Sequence, residues 1–580
     1  MNTPADRPAT QPFAAAPRGA ESPSAPHRGV DGQAAPSHGA GALISALRSA
    51  GVSRIFTLSG NHIMSVFDAA IGSGIALIHT RHEASTVHMA DAWARITGQV
   101  GIALVTGGPG HANAVAALYT AQMAEAPVLL LSGHAPNDQL GRGAFQEMRQ
   151  ADMAAPVCKA AWVCGAADEV AGDLARAVRL ALSGRPGPVH LSLPTDVLEG
   201  ATAAPTPDPP AFAAQPQRLP AGTAQALALQ LMQARRPLIL TGPGCMTRAG
   251  RARMSALEAA SGVPVVGMES PRGMADTSLG AFASLLSLSD CVLLVGKRLD
   301  FTLKFGQAPF PQTAAVHQVD PDASELDRTQ RAIGTRLQLT AQADAHAALG
   351  ALTDACSHRP GRDSTADASA TTWLGEVREA LAWRPPAWAS AQASRPGHLH
   401  PVQMLRPVQA LLDSHPDSVL VCDGGEIGQW AMACLQAPHR VHNGVAGAIG
   451  AGLAFALGAR SALPRAPVVA VMGDGSAGFH IAEFDTGLRH GLPFVAVIGN
   501  DARWNAEHQI QLRDFGPDRL IGCELRATRY DAVAQAFGGH GEHVTDAHAL
   551  GAALQRAQAS ALPACVNVVI DGLSAPTLKR

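Results

Sequence analysis

The sequence predicts an α/β protein made of three doubly wound parallel-sheet domains. Three observations carry that prediction. A chain of 580 residues exceeds what one hydrophobic core organises, so about three domains are expected. From about residue 39, apolar β-branched runs alternate with helical stretches, the pattern of repeated βαβ units. One such unit is unusually explicit. The run 468–472 ends in Gly473-Asp474-Gly475-Ser476, a helical stretch follows, and the run 494–498 ends in Gly499-Asn500-Asp501. Parallel strands bring both polar ends to one carboxyl edge, where open α/β sheets bind ligands.

Composition narrows the class. The chain is 47% hydrophobic and 16% charged with a net charge of -3, which argues against nucleic acid as a partner. No run of 18 apolar residues exists, so no membrane span is expected, and the Gly/Ala-rich run 445–459 reads as a buried helix. The nine cysteines show no paired spacing, which fits reduced thiols and a cytoplasmic location.

Residues 1–38, rich in Ala, Pro, Ser and Gly, read as a disordered leader without a signal-peptide core. The first domain spans 39–202. Its expected elements are helix 43–50, strand 54–58 ending in Ser59-Gly60-Asn61-His62, and strand 75–80 leading into Arg81-His82-Glu83. Helix 84–97, strand 101–106, the turn Gly107-Gly108-Pro109-Gly110, helix 112–124, strand 128–132 and strand 189–193 follow. A Pro-rich linker, 203–220, leads to a central domain at 221–352 with buried strands 237–241 and 291–295. Its Gly242-Pro243-Gly244 departs from the G-x-G-x-x-G spacing and reads as a tight strand–helix turn. The Ser/Ala/Pro/Arg-rich stretch 353–395 reads as a second linker, and the third domain covers 396–580 with strands 418–421, 468–472, 494–498 and 566–570.

The chemistry of 473–501 is that of a metal–diphosphate site. Glycines admit a phosphate to backbone N–H groups, and the following helix offers its positive end. Asp474 and Asn500 present oxygens, and Mg²⁺ takes one or two protein carboxylates together with phosphate oxygens. Asp-Gly alone also makes ordinary turns; GDGS followed by Asn500 at the next strand end is far more specific.

This combination resembles the thiamine diphosphate (ThDP) family, in its acetolactate synthase, 2-hydroxyacyl-CoA lyase and oxalyl-CoA decarboxylase branch, and the resemblance covers nearly all of the chain after residue 39. It implies pyrimidine-binding, central and diphosphate-binding domains, with ThDP and Mg²⁺ as cofactors. The metal ligands would be Asp474, Asn500 and the carbonyl of Ala502; Gly499 replaces the family's first Asn. Glu83 matches the carboxylate that bonds the aminopyrimidine, so that the cofactor removes its own C2 proton. The cofactor-binding residues implied are Gly108, Pro109, Gly110, Gly425, Glu426, Ala448, Ile449, Gly473, Gly475 and Ser476, with Ile449 propping the cofactor into its bent shape. The family's His after Glu426 is replaced by Ile427.

On the substrate side the resemblance points to Asn61, His62, Phe145, Gln146, Lys159, Trp504 and His508; Phe145-Gln146-Glu147 with Lys159 matches the acetolactate synthase pattern. Residues 296–306 are similar to 2-hydroxyacyl-CoA lyases and oxalyl-CoA decarboxylases, 498–504 look most like acetolactate-synthase-like 2-hydroxyacyl-CoA lyases, and Gln509 stands where true acetohydroxyacid synthases carry a Trp. The implied reaction makes or cleaves a C–C bond beside a carbonyl in a small 2-oxo acid or acyl-CoA, in an acetolactate-synthase-like manner. A lyase or oxalyl-CoA decarboxylase-like activity is the alternative, and a non-catalytic diphosphate-binding regulator on the same fold is a third reading. FAD or a CoA nucleotide in the central domain is left open. A homodimer or homotetramer is expected, because the family encloses each cofactor between two subunits.

Overall fold

The computed structural model describes residues 37–357 and 367–579. It contains three parallel sheets. The first runs in the order Ala76–His79, Arg54–Thr57, Gly101–Val105, Val128–His134, Val189–Pro194, Ala161–Val163. The central sheet runs Val265–Gly267, Pro237–Thr241, Cys291–Val295, Ala315–Asp320, Leu337–Gln342. The third runs His439–His442, Val419–Cys422, Val468–Gly473, Val495–Asn500, Ala564–Val569, His540–Val544. Inner strands such as Gly101–Val105 and Cys291–Val295 are buried throughout, which is why they read as unbroken apolar runs rather than alternating ones.

In each sheet the strand order reverses beside the sheet's first strand along the chain, and the crevice at that switch point is where doubly wound sheets bind ligands. The reversals fall between Arg54–Thr57 and Gly101–Val105, between Pro237–Thr241 and Cys291–Val295, and between Val419–Cys422 and Val468–Gly473.

Helix Glu83–Thr97 of the first domain lies against helix Gly452–Ala462 of the third. Gly458 makes this possible, since a Cβ there would sit 2.4 Å from the Met89 carbonyl. Arg95 stacks 4.9 Å above the Phe455 ring, and one hydrophobic cluster spans both domains.

Two expectations are corrected. The stretch 353–395 is not all linker: helix Ala345–Ser357 enters it, and Asp367–Ala382 forms a helix of its own. Trp373 and Val377 are buried in the central core beside Leu238 and Val292, and the Trp373 indole donates to the Pro237 carbonyl at 2.8 Å. The apolar stripe Trp373, Val377, Leu381 at four-residue spacing carries the helix through a Ser/Ala-rich composition. The stretch 203–220 likewise folds onto the first domain, where Phe212 is buried in its core. The leader expectation falls on residues outside those described, except that Ser37–His38 pair antiparallel with Ala201–Thr202.

All nine cysteines are free thiols, and burial pushes Cys158, Cys245 and Cys422 up to about 12, so these are inert core residues. Among the described residues no helix is long and apolar enough to cross a membrane.

Candidate active site

The first-domain crevice is built from two loops. Asn61 and His62 follow the strand Arg54–Thr57, and Thr106–Gly110 follow Gly101–Val105; the His62 Nδ1 lies 3.1 Å from the Thr106 hydroxyl and ties the two loops together. Gly108 has φ +59°, its N–H donates to the Gln150 side chain at 2.9 Å, and Gln146 lies 2.7 Å from where a Cβ would be. A side chain there would be strained and would strike Gln146. Pro109 then opens helix Pro109–Met123, pre-set for its first turn.

Glu83 is the first residue of helix Glu83–Thr97, one residue earlier than expected, because the His82 side chain caps it by accepting from Ala84 N–H at 3.1 Å. The half-buried Glu83 carboxylate accepts from the Asn113 amide at 3.0 Å. Its other oxygen lies 3.5 Å from where a Cβ on Gly110 would be, so the bare glycine keeps the space before the carboxylate open.

Phe145 stacks on His62 with ring centroids 5.9 Å apart, and burial holds the His62 imidazole below its ordinary pKa. Glu147 closes the loop beside them by accepting from Gly141 N–H at 2.6 Å and Ala144 N–H at 3.1 Å. Phe145 and Gln146 therefore sit at the crevice as expected. Lys159 does not. It precedes strand Ala161–Val163 and lies at the opposite, amino edge of the sheet, where its ammonium donates to the Leu180 and Ser183 carbonyls at 2.5 Å each. A parallel sheet cannot bring the start of one strand to the end of its neighbours.

The third-domain crevice is lined by four strand ends. Buried Asp423 follows Val419–Cys422 and accepts from Gly450 N–H at 3.0 Å and Gly452 N–H at 2.9 Å, which fixes the loop carrying Ala448 and Ile449. Ile449 lies against Gly424, where a Cβ would come within 2.4 Å of it. Gly425 and Glu426 open helix Gly425–Cys434. The Glu426 carboxylate is already engaged: it accepts from Ala575 N–H at 2.5 Å and faces Arg272 at 3.4 Å. Its side chain ties the C-terminal segment to the start of helix Gly425–Cys434.

Gly473 pairs in register with Gly499, so Asp474 and Asn500 emerge side by side. Asp474 is 1% exposed and one of its carboxylate oxygens has no hydrogen-bond partner. Asp501, not singled out from the sequence, lies beside Asp474; burial raises both carboxyls, and the Asp474 charge raises Asp501 further. Two carboxyls forced together with an orphaned buried oxygen suit a hard divalent cation. Asn500 Oδ1 accepts from Ala502 N–H at 3.2 Å, while its amide donates to Thr528 and Asn567. The Ala502 carbonyl already accepts from Leu525 N–H at 2.7 Å and keeps one lone pair for an ion.

Gly475 is needed because a Cβ there would lie 2.5 Å from the Trp504 ring. Buried Ser476 continues the same turn. Trp504 stands edge-on to Phe479 at 6.1 Å, and Phe479, 54% exposed, covers Gly450. This aromatic shelf was half foreseen: Trp504 was, whereas Phe479, one helical turn beyond the GDGS motif, was not. His508 is buried with its Nδ1 unpartnered, below its ordinary pKa through burial and Arg503.

The central crevice differs. The N–H of Gly244, the natural contact for a phosphate at this turn, donates to the Glu125 carboxylate at 2.9 Å. Arg185, also from the first domain, donates to Asp320 at 2.6 and 2.8 Å, to Asp322 at 2.9 Å and to the Gly296 carbonyl at 3.0 Å, and pairs with Glu125. Residues of the first domain thus fill this crevice, and they do not fit FAD or a CoA nucleotide bound at the Gly242–Gly244 turn.

A carboxylate at one sheet reversal and a cation-competent diphosphate cradle at another, on separate domains, define a thiamine-diphosphate type of enzyme. Family models agree in all three parts: the N-terminal TPP binding domain of thiamine pyrophosphate enzymes matches residues 37–153, the central domain 224–352 and the C-terminal TPP binding domain 423–568. The chain is 33% identical over 546 residues to a probable acetolactate synthase of Mycobacterium bovis, covering 92% of this chain and 96% of that protein. It is 32% identical over 557 residues to 2-hydroxyacyl-CoA lyase 2 of Danio rerio, covering 87% and 86%, and 30% identical over 554 residues to the human lyase of that name, covering 87% and 84%. The chain belongs to the thiamine pyrophosphate enzyme family, in the branch of acetolactate synthase and 2-hydroxyacyl-CoA lyase.

Proposed function

We propose that the chain is a ThDP- and Mg²⁺-dependent enzyme that makes or cleaves a C–C bond beside a carbonyl, acting on small 2-oxo acids in an acetolactate-synthase-like way. The observation that carries this reading is the paired layout of Glu83, presented beside the bare Gly110, and Asp474, buried with a free oxygen. ThDP, when bound, supplies a nucleophilic carbon and an electron sink next to the substrate carbonyl. Asp474, Asn500 and the Ala502 carbonyl would hold Mg²⁺, with Asp501 adding a second carboxylate. Gly473, Gly475 and Ser476 admit the diphosphate to the start of helix Asp474–Phe479, and Ile449 supports the body of the cofactor. Glu83 accepts a hydrogen bond from the aminopyrimidine ring and, with Asn113, fixes its orientation. His62 and His508, both shifted toward the neutral form, are placed to accept or return a proton on the substrate side.

Among the described residues the Glu83 carboxylate accepts only from Asn113, and no hydrogen bond joins it to Gly473–Ser476, Asn500 or Ala502. This supports a homodimer in which each cofactor lies between one chain's Glu83 and the other's Asp474.

The shelf of Phe479 and Trp504 favours a second reading, cleavage of a 2-hydroxyacyl-CoA, because an apolar acyl chain is what such a surface holds. Incubation with pyruvate, and separately with a 2-hydroxyacyl-CoA, distinguishes the two. Acetolactate formation supports the first reading. Release of an aldehyde and formyl-CoA supports the second, and turnover of neither class overturns both.

A further inference from the structure

Beneath the first-domain crevice runs a chain of buried hydrogen bonds centred on Gln150, the first residue of helix Gln150–Ala154, which is 1% exposed. Its side-chain oxygen accepts from the Gly108 N–H at 2.9 Å. Its amide nitrogen donates to the Gly133 carbonyl and to the Ser192 hydroxyl, both at 3.1 Å. The Ser192 oxygen lies 2.9 Å from His190 Nε2, and His190 Nδ1 lies 3.1 Å from the Leu130 carbonyl.

Chemistry gives this chain one direction. A carbonyl only accepts, so His190 Nδ1 carries the proton that faces Leu130. Burial holds the His190 imidazole well below its ordinary pKa, so the ring is neutral and Nε2 accepts from the Ser192 hydroxyl. The Ser192 oxygen is then free to accept from the Gln150 amide. At the far end the Gly108 N–H can only donate, which requires the oxygen of that amide and not its nitrogen. Turning the Gln150 amide over would break all three of its bonds in a buried place, where unmet polar groups are costly.

The consequence is felt at Glu83. The peptide unit between Gly107 and Gly108 is planar, so its C=O and N–H turn together. Gln150 holds the N–H, and the C=O accepts from the Gly110 N–H at 3.3 Å. Gly110 is the residue whose missing side chain keeps the space before the Glu83 carboxylate open. There is no slack in this stack: a Cβ on Gly107 would lie 2.8 Å from the Gly133 oxygen and 3.1 Å from that of Gln150. The backbone N–H of Gln150 also donates to the Met148 carbonyl at 2.9 Å, which ties the turn to the loop carrying Phe145 and Gln146.

We propose that Gln150 is a positioning residue for the cofactor step: by fixing the Gly107–Gly108 peptide it holds Gly110, and with it the space before Glu83, in the place the aminopyrimidine needs. Being buried, it acts only through the backbone. The proposal rests on the reading of Glu83 as the carboxylate that bonds the cofactor.

The test measures C2 hydrogen–deuterium exchange of bound ThDP in the holoenzyme, per cofactor retained. Gln150→Met keeps the length of the side chain and removes its three bonds. It should fold by circular dichroism and retain ThDP at saturating cofactor, yet exchange about 10- to 100-fold more slowly, since a misplacement of about 1 Å costs up to about 10²-fold. A role confined to stability would lower the melting temperature and leave that rate unchanged. Gln150→Glu gives a second readout. As a neutral acid it still accepts from Gly108 and donates to Gly133 or Ser192; once ionised it has no donor to offer. Burial raises its pKa, so its exchange rate relative to wild type should fall as pH rises from about 5 to 8. This variant also decides the matter if Gln150→Met does not fold. Wild-type exchange in a folded Gln150→Met, or a pH-independent ratio in Gln150→Glu, would overturn the proposal while Glu83→Gln still slowed exchange. Wild-type exchange in Glu83→Gln would overturn the cofactor reading and this proposal with it.

Discussion

Replacing Arg185 with Met should loosen the joint between the first and central domains, and by an amount that depends on pH. The guanidinium is 7% exposed and bonds Asp320, Asp322, Glu125 and a carbonyl of the opposite domain. Methionine keeps the stem but leaves Asp320, fully buried, without its cation. Breaking a buried pair from one side costs about 3–5 kcal/mol. At roughly 2–4 °C per kcal/mol for a domain of this size, the central transition should fall by roughly 6–20 °C at neutral pH. Burial already holds the Asp320 carboxyl above its ordinary range, with Arg185 as the main force pulling it down, so its pKa rises further in the variant. An acid whose folded pKa exceeds its unfolded value destabilises the fold only when ionised. Its penalty is full above the folded pKa and vanishes below the unfolded value, about 3.9. The gap between wild type and variant should therefore narrow as pH is lowered from 7 toward 4. Scanning calorimetry at several pH values measures this. A variant that melts within about 2 °C of wild type at pH 7, or a gap independent of pH, would refute the reasoning.

Three further outcomes are expected. Glu83→Gln should still bind ThDP but slow C2 hydrogen–deuterium exchange by about 10²–10⁴-fold, with Glu83→Asp intermediate, as read by NMR after acid quench; wild-type exchange in the Gln variant would make Glu83 a mere helix-start carboxylate. Asp474→Ala should lose metal-dependent ThDP retention, checked by calorimetry with and without EDTA, and affinity unchanged under both conditions would remove it from the metal site. Lys159→Met should leave KM for substrate within about twofold, because its ammonium serves the carbonyls of Leu180 and Ser183 rather than the crevice; a large KM effect would mean that the FQE…K resemblance reports a real contact.

Much of the architecture is legible in the sequence because each of these strands is an apolar run that ends in polar or glycine residues, and those endings are the ligand edges. Asp474 and Asn500 stand out from such endings, whereas Glu83, at another strand end, is singled out only together with the Gly107–Gly110 loop and the family resemblance. Asp501 does not stand out, since its partnership with Asp474 depends on the register of two strands that meet only in the fold. The plugging of the central crevice was hidden for a related reason: Glu125 and Arg185 are ordinary first-domain charges until the domains pack, and only then does a carboxylate reach the Gly244 N–H. Lys159 misled because resemblance fixes order along the chain, whereas the direction of the strand decides which edge a residue reaches. The helix Asp367–Ala382 was obscured by Ser and Ala, although its stripe of Trp373, Val377 and Leu381 was in plain view.

The exposure of the two half-sites bears on assembly. A carboxylate that must bond strongly to a ring nitrogen needs a dry setting, because the same bond in water is worth far less. Glu83 is only half-buried and bonds a single amide within the chain, and Phe479 leaves more than half of its surface bare at the other crevice. The two domains meet next to Glu83, where His82 packs against His480 and Arg81 N–H donates to Glu483 at 3.1 Å, but among the described residues no hydrogen bond joins Glu83 to the 473–476 loop. Two chains arranged about a twofold axis would cover both at once, since such an interface is self-complementary. Activity should therefore follow the dimer: on dilution, turnover per chain should fall along the same curve as the dimer fraction seen by sedimentation, and added ThDP should shift both toward lower concentration by mass action. Full turnover from chains that sediment at 59.7 kDa would show that one chain closes its own site.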